Sequence, residues 1–457
     1  MALNSEKGRI NERGKGPTVG QYFSIHHRFL AWVGRLTNTI ILLPHPVTVG
    51  NASEDYYFGL LAARKQGKKL VVLFPFPMPG RFKIRMFEPA ILHLESDLLA
   101  MSYRGVASSS LSAIFTAYFI ALRIGAIFLH KYFGIVLTGY YWRPLAGQDI
   151  LWRPNAGVIK FNWDLARHQL WGDQFSTPIP LTLNQKIVTH CEDVRERMGL
   201  PRDAWFVCLH VREGGYTGDW TNIRNADITN YFGAIREITK RGGWVVRMGD
   251  PSMIKLPALE HVIDYPFLPA RSAIMDVYLI KECAFYVGTG SGILDTAFLL
   301  GKPVVMTNST QWINGIPLRH GDLAIFKHMY SRSENRFLSL KEWLMRASSI
   351  TSEDWSSSDW TLVENSEEEI ASVVRERLDF FSNQGPTHLQ LEFRKLHWQA
   401  VQEISNTFRF DLNELENCNE WFRFASRIIG WRGEISADFL EKNWVKNSRI
   451  YPTGHVL

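Results

Sequence analysis

Between residues 205 and 306, short apolar runs bounded by glycine, proline or aspartate alternate with segments whose apolar residues recur at helical spacing. The runs fall at 206–211, 244–248, 261–263, 284–287 and 303–306. Helical spacing covers 227–240, 273–281 and 293–300, and a short helix is expected to reach residue 256. Such alternation predicts a parallel sheet with both faces covered by helices. In a sheet of that kind, ligands gather beyond the carboxyl ends of the strands. The first run ends at His210-Val211-Arg212-Glu213, followed by Gly214-Gly215, so Arg212 is delivered to a crevice. The fourth run feeds Gly288-Thr289-Gly290-Ser291-Gly292 and then an apolar helix ended by Gly301 and Pro303. A strand, a turn of small residues and a helix together aim backbone N–H groups and hydroxyls at an anion. The arginine and the glycine turn predict one shared phosphate site.

A second α/β unit is expected upstream. A strand at 39–43 ends in Pro44-His45-Pro46, a loop containing Gly50 and Asn51 turns into a helix at 56–66, and a strand follows at 70–74. His45, Gly50 and Asn51 read either as plain turn chemistry or as the lining of an acceptor-side cleft. The stretch 91–152 is mostly helical and rich in aromatics. Its W-R-P tripeptides at 142–144 and 152–154 read best as turns packed by tryptophan. Pro178-Ile179-Pro180 marks a linker, and a helix over 182–198 is stopped by Gly199 and Pro201. Helices dominate beyond residue 341, at 367–381, 389–407 and 412–429. The expected organisation is an extension (1–35, with a helix at 21–35), an α/β acceptor-side domain (36–180), an α/β nucleotide-sugar domain (181–340) and a helical C-terminal region (341–457). The fold class is α/β, with two doubly wound domains facing across a cleft.

With 46% hydrophobic and 21% charged residues, the chain of 457 is a folded protein, long enough for two domains and an appendage. Its four cysteines are widely spaced without a CxxC pair, which argues against a disulfide framework or zinc site and for a reducing compartment. The glycosylation sequons at Asn51 and Asn308 then carry little weight. The polar first 16 residues hold no apolar signal-peptide core, so a cytoplasmic location is expected. Charge is uneven: residues 1–160 carry a net of +11 and the remainder −5. The basic half is either a solvated face or a surface for a polyanionic neighbour such as an anionic bilayer. Residues 111–129 are apolar with one charge, Arg123. They read as a core helix or as one lying at a membrane interface; a true span is disfavoured because it would split the first domain.

Two α/β domains with anion features at strand ends of the second form the layout of a GT-B glycosyltransferase. His210-Val211-Arg212-Glu213, Arg224-Asn225-Ala226-Asp227, Tyr231, Arg247-Met248-Gly249-Asp250, Ile263-Asp264-Tyr265, Asp276 and the glycine turn resemble a family of bacterial glycosyltransferases found with surface-polysaccharide genes. The core is also similar to GDP-fucose-dependent fucosyltransferases, which carry H-x-R at the same strand end. The resemblance covers residues 195–310 best and fades beyond 340. It implies that Arg212 binds the donor pyrophosphate and stabilises charge on the departing diphosphate. Thr289 and Ser291, with the Gly288, Gly290 and Gly292 backbone, would hold the other phosphate face, and His210 would orient the site. Asp276 would meet base or ribose, with Arg224 and Arg247 also on the donor side.

Here Glu213 directly follows Arg212, which departs from the fucosyltransferase pattern and weakens the case for GDP-fucose. Glu213 could serve as general base or pair with Arg212 or Arg224; Arg247 could bind donor or pair with Asp250 or Asp264. No D-x-D stands at a strand end, so metal independence is expected, with no cofactor. The expected reaction is an inverting transfer from a nucleoside-diphosphate sugar to a glycan or lipid-linked acceptor at the inner membrane face. Gly301-Lys302-Pro303 with Asn308-Ser309-Thr310 also fits a heptosyltransferase-like group using an ADP-sugar. A non-catalytic nucleotide- or glycan-binding module is the alternative outside enzymes. Nucleic-acid binding lacks any motif.

Overall fold

In the computed structural model, the described residues are chiefly 36–42, 49–74, 90–101, 177–216, 218–310, 319–345, 359–379, 385–407 and 433–445, with isolated positions at 109–133 and 158–159. The expected helices at 21–35 and 412–429, the W-R-P tripeptides and His45 lie outside them.

The first sheet is built on β1 (Thr39–Leu42), whose four residues are all buried. Helix α1 (Val49–Gln66) follows, stopped by Gly67 at φ +60°, a conformation that glycine adopts without steric cost. β2 (Lys69–Val72) then pairs with β1 in parallel, a connection of strand, helix and strand. A short strand β3 (Leu94–Glu95) comes next, and β4 (Val158–Ile159) completes the parallel order β2-β1-β4. β5 (Thr182–Leu183) pairs antiparallel with β3. That pairing holds residues 182–183 extended, so helix α2 (Gln185–Arg197) starts later than apolar spacing predicted. Asn184 caps it, accepting from the Lys186 N–H at 3.0 Å.

The second sheet carries the candidate site. It contains β6 (Phe206–His210), α3 (Phe232–Thr239), β7 (Trp244–Arg247), β8 (Val262–Asp264), α4 (Ala273–Glu282), β9 (Tyr286–Gly288), α5 (Gly292–Leu299) and β10 (Val304–Ser309). These are the five strands the apolar runs predict. β11 (Leu323–Phe326) extends the sheet. With β15 (Glu434–Ile435) at one edge, its full order is β15-β11-β10-β9-β6-β7-β8, and every pairing is parallel. Helix α3 is shorter than predicted because Asp227 caps a 3-10 turn over Ile228–Tyr231 first.

A separate antiparallel sheet joins β12 (His328–Ser331) to β13 (Arg336–Phe337) and β14 (Trp360–Val363). Helix α6 (Leu340–Met345) lies between the last two strands in sequence. Helix α7 (Glu367–Leu378) opens with a capping box between Ser366 and Glu369 and is followed by α8 (His388–Thr407). The region beyond 341 is not only helical: besides β14, the two-residue β15 (Glu434–Ile435) returns to the edge of the main sheet, followed by α9 (Ala437–Asn443).

The two α/β domains meet where α1 crosses α5. The buried Ser53 hydroxyl bonds the Thr296 hydroxyl at 3.0 Å. A Cβ added at Gly50 would stand 2.4 Å from Gly292 Cα, so a glycine at this position allows the two helices their close approach. Arg64, further along α1, donates to the Thr177 carbonyl at 2.9 Å and ties the helix to the linker. This is the two-domain α/β arrangement expected from the sequence.

Candidate functional site

The site grows from the junction of β6 and β9. His210 and Gly288 are paired in register, and a Cβ at Gly288 would sit 2.0 Å from the His210 carbonyl oxygen. Glycine is therefore demanded by the close approach of the backbones. The Thr289 N–H donates to the same carbonyl at 3.1 Å, and the Thr289 hydroxyl accepts from the Arg212 N–H at 2.8 Å. Thr289 is fully buried, so its hydroxyl locks the two strand ends together.

Ser291 stands at the N-cap of α5 but makes no capping bond; its hydroxyl lies 3.1 Å from His210 Nδ1. The helix therefore begins without a side-chain cap, and at Gly290 an added Cβ would meet open space. Burial and then the nearby Arg247 charge push His210 down to about 4, with Asp250 opposing and Arg212 adding a smaller push. It is a neutral imidazole near pH 7.

Arg212 leaves the sheet two residues beyond His210 and is half-buried. Its buried Nε has no hydrogen-bond partner, and among the described residues the guanidinium forms no ion pair. Burial and then the like charge of Arg224 hold its pKa below the usual value, with Asp219 opposing. Arg224 is exposed, its Nε 3.2 Å from the Asn222 side-chain oxygen. Two guanidinium groups close enough to disfavour each other's charge make a place for an anion.

Glu213 and Arg247 face a different way. Arg247 is 0% exposed and meets Glu213 Oε1 at 2.6 Å, Asp264 Oδ1 at 3.0 Å and the Ile254 carbonyl at 2.5 Å. The second oxygen of Glu213 accepts from the Ile254 N–H at 2.7 Å, and that of Asp264 from the Leu256 N–H at 2.8 Å. One buried cation and two carboxylates thus pin the loop after β7 to three strand ends. Of the pairings open in the sequence, Arg247 takes Asp264; Glu213 pairs with Arg247, not with Arg212 or Arg224. Residues 251–253 make a turn and a bend and 254–256 run on without regular structure, where a short helix was expected.

The other candidates are spread around this core. Asp276 lies in the first turn of α4 against Tyr265, whose phenol is raised by burial and next by Asp276. Gly50 packs on Gly292 beside the Asp295 carboxylate, which puts the start of α1 directly against the glycine turn; Asn51 follows in the same turn of helix. Asp295 and Tyr286, the latter fully buried beneath the turn, were not singled out from sequence. Both sit in apolar runs and have no spacing signal of their own. A cleft of about 510 Å³ opens elsewhere, between α2 and the loop before α4, lined by His190, Arg197, Leu268, Arg271, Ser272 and Met275. None of the strand-end residues lines it. Among the described residues, no group of three or more His, Cys, Asp or Glu is placed to hold a metal ion.

No family model matches the sequence, and no curated protein matches it. Solved structures do show likeness. A glycosyl transferase family 9 protein from Veillonella parvula DSM 2008 is 12% identical with a TM-score of 0.34, covering 58% of this chain and 79% of that one. The UDP-GlcNAc 2-epimerase of Methanocaldococcus jannaschii, in complex with UDP-GlcNAc and UDP, is 12% identical with a TM-score of 0.23 over 64% and 67%. The dodecameric iron-containing heptosyltransferase TibC, in complex with ADP-D-beta-D-heptose, is 12% identical with a TM-score of 0.25 over 59% and 58%. At these values each likeness bears on no individual residue.

Proposed function

We propose that this chain is a glycosyltransferase that moves a sugar from a nucleoside-diphosphate donor to a glycan or lipid-linked acceptor in surface-polysaccharide synthesis. The observation that carries the reading is Arg212: a half-buried guanidinium at a strand end with no ion pair among the described residues, facing Arg224. A guanidinium without a counter-ion offers its charge and its forked donors to an anion, and a bound diphosphate would pair with it. When the acceptor hydroxyl attacks the anomeric carbon, its proton passes to solvent or to the leaving diphosphate, the bond from that carbon to the phosphate oxygen breaks and negative charge collects on the departing diphosphate. Arg212 and Arg224 stabilise it there. Neutral His210 positions the Ser291 hydroxyl at the start of α5, whose N–H groups complete the cradle. We assign Glu213 and Arg247 to positioning, since both carboxylate oxygens of Glu213 are already bonded.

Two arginines supply the charge that a metal supplies in other transferases, so we propose an inverting, metal-independent displacement. The nucleotide is GDP or ADP, following the two families that the sequence resembles. A contact with an anionic bilayer surface fits the basic first 160 residues and the exposed Ile114, Phe128, Tyr132 and Phe133. No helix among the described residues is long and apolar enough to cross a membrane.

The test is release of free nucleotide from GDP-, UDP- and ADP-linked sugars, with and without polysaccharide acceptor. Release from one donor class, lost in Arg212→Ala, supports the transferase. Donor binding with no release under any condition would instead support a binding module.

A further inference from the structure

Resting on that reading, we propose that the loop between Arg212 and Ala226 is a carbohydrate platform, on which Trp220 and Tyr216 hold a pyranose ring of the acceptor. The loop is closed at its stem by the Ala226 N–H donating to the Arg212 carbonyl at 3.0 Å, so the candidate anion site and the loop share one base. Within it, the Asp219 carboxylate accepts from the Asn222 amide at 2.9 Å and the Thr221 hydroxyl at 3.2 Å, while the Asn225 amide donates to the Asp219 carbonyl at 2.9 Å. The buried ammonium of Lys327 holds the far side through the Asn225 carbonyl at 2.6 Å. A closed loop packed by its own side chains presents its exposed groups in a fixed arrangement.

What it presents is aromatic. Trp220 is 62% exposed and Tyr216 59% exposed, although the loop around them is tightly bonded. An added Cβ at Gly214 would stand 2.6 Å from Trp220 Cα and 2.7 Å from its indole Cδ2, so Gly214 backs the indole closely. Gly215 presses equally on the Ser252 carbonyl, 2.4 Å from where its Cβ would be, and Ile254 on that neighbouring loop is 61% exposed. Large rings left exposed beside a charged site mark a ligand contact.

A sugar fits this platform better than a base does. The C–H face of a pyranose lies on an aromatic ring while its hydroxyls stay in water, which suits a platform that remains more than half exposed. A nucleobase in a transferase wants an enclosed slot with its edge groups bonded. The two arginines at the stem add attraction for an acidic or phosphorylated glycan.

The full chain labelled with 5-fluorotryptophan tests this, with the Trp220 fluorine resonance assigned from Trp220→Phe. The probes are the methyl glycosides of glucose, galactose, mannose and N-acetylglucosamine, each titrated without nucleotide. We expect at least one to shift the Trp220 resonance saturably, with an apparent Kd raised about fivefold or more by Tyr216→Ala. A Trp220 resonance unmoved by all four sugars would overturn the platform. A shift caused by adenosine, guanosine or uridine instead would make it a base contact, and a sugar shift abolished by Arg212→Ala would put the ring in the donor half; both also overturn it. Failure of nucleotide binding with the sugar shift intact would sink the transferase reading and leave the platform standing.

Discussion

Two arginines stand at the carboxyl ends of adjacent strands, yet their surroundings differ completely. Arg247 ends β7 fully buried, bonded to Glu213, Asp264 and the Ile254 carbonyl. Arg212, just past β6, is half-buried with an unpartnered Nε and a second arginine nearby. Position at a strand end therefore brings a cation to the crevice, but its partners decide what it does there. Arg247 uses its donors inside the protein; Arg212 is the one we propose receives a ligand.

The widest gap between the two should appear in stability. Arg247→Met leaves two carboxylates buried without their cation, and denaturant unfolding should show a loss of about 3–5 kcal/mol. If Arg247→Met unfolds like the wild type, the contrast fails. Next comes the histidine between them. Its folded pKa of about 4 lies below the ordinary His value, so the unfolded chain binds the proton first as pH falls. Stability contributed by neutral His210 is full above about pH 6.5 and drains away down to about pH 4, amounting to roughly 3 kcal/mol. His210→Gln should flatten that part of the stability–pH curve; an unchanged slope would mean that His210 is solvated.

Smaller again is the effect of widening the helix crossing. Gly50→Ala forces a methyl group against Gly292 and should cost about 1–3 kcal/mol in unfolding experiments while weakening nucleotide binding through displaced α5. At the bottom of the scale, Arg212→Ala should change stability by less than about 0.5 kcal/mol in either direction, because it breaks no ion pair. A large loss there would show that Arg212 is structural after all.

Much of the second sheet was legible because buried parallel strands are written as apolar runs cut off by turn residues, as in 206–211 and 284–287. β15 was not, since Glu434-Ile435 has no period and joins the sheet only through β11. The convergence of His210, Arg212, Thr289 and Ser291 could be inferred from two motifs at strand ends. The division of labour between Arg212 and Arg247 could not. Glu213 and Arg247 are 34 residues apart, and their pairing depends on β6 and β7 being neighbours in register. The role of the Thr289 hydroxyl was hidden for the same reason: it accepts from the Arg212 N–H across the strand junction. Gly50 illustrates the reverse case, where a residue that looked like turn chemistry is set by a helix from the other domain.

The most direct measurement is the thermal midpoint of wild type and Arg212→Ala titrated with GDP, UDP, ADP, CMP and dTDP. A ligand that binds the folded chain raises its midpoint by mass action, by about 2.7 kcal/mol of stability at a hundredfold excess over Kd. We expect one diphosphate to stabilise the wild type and to have no effect on Arg212→Ala, whose own midpoint stays at the wild-type value. Equal stabilisation of both proteins, or of neither at millimolar nucleotide, would contradict Arg212 as the cation that receives the donor.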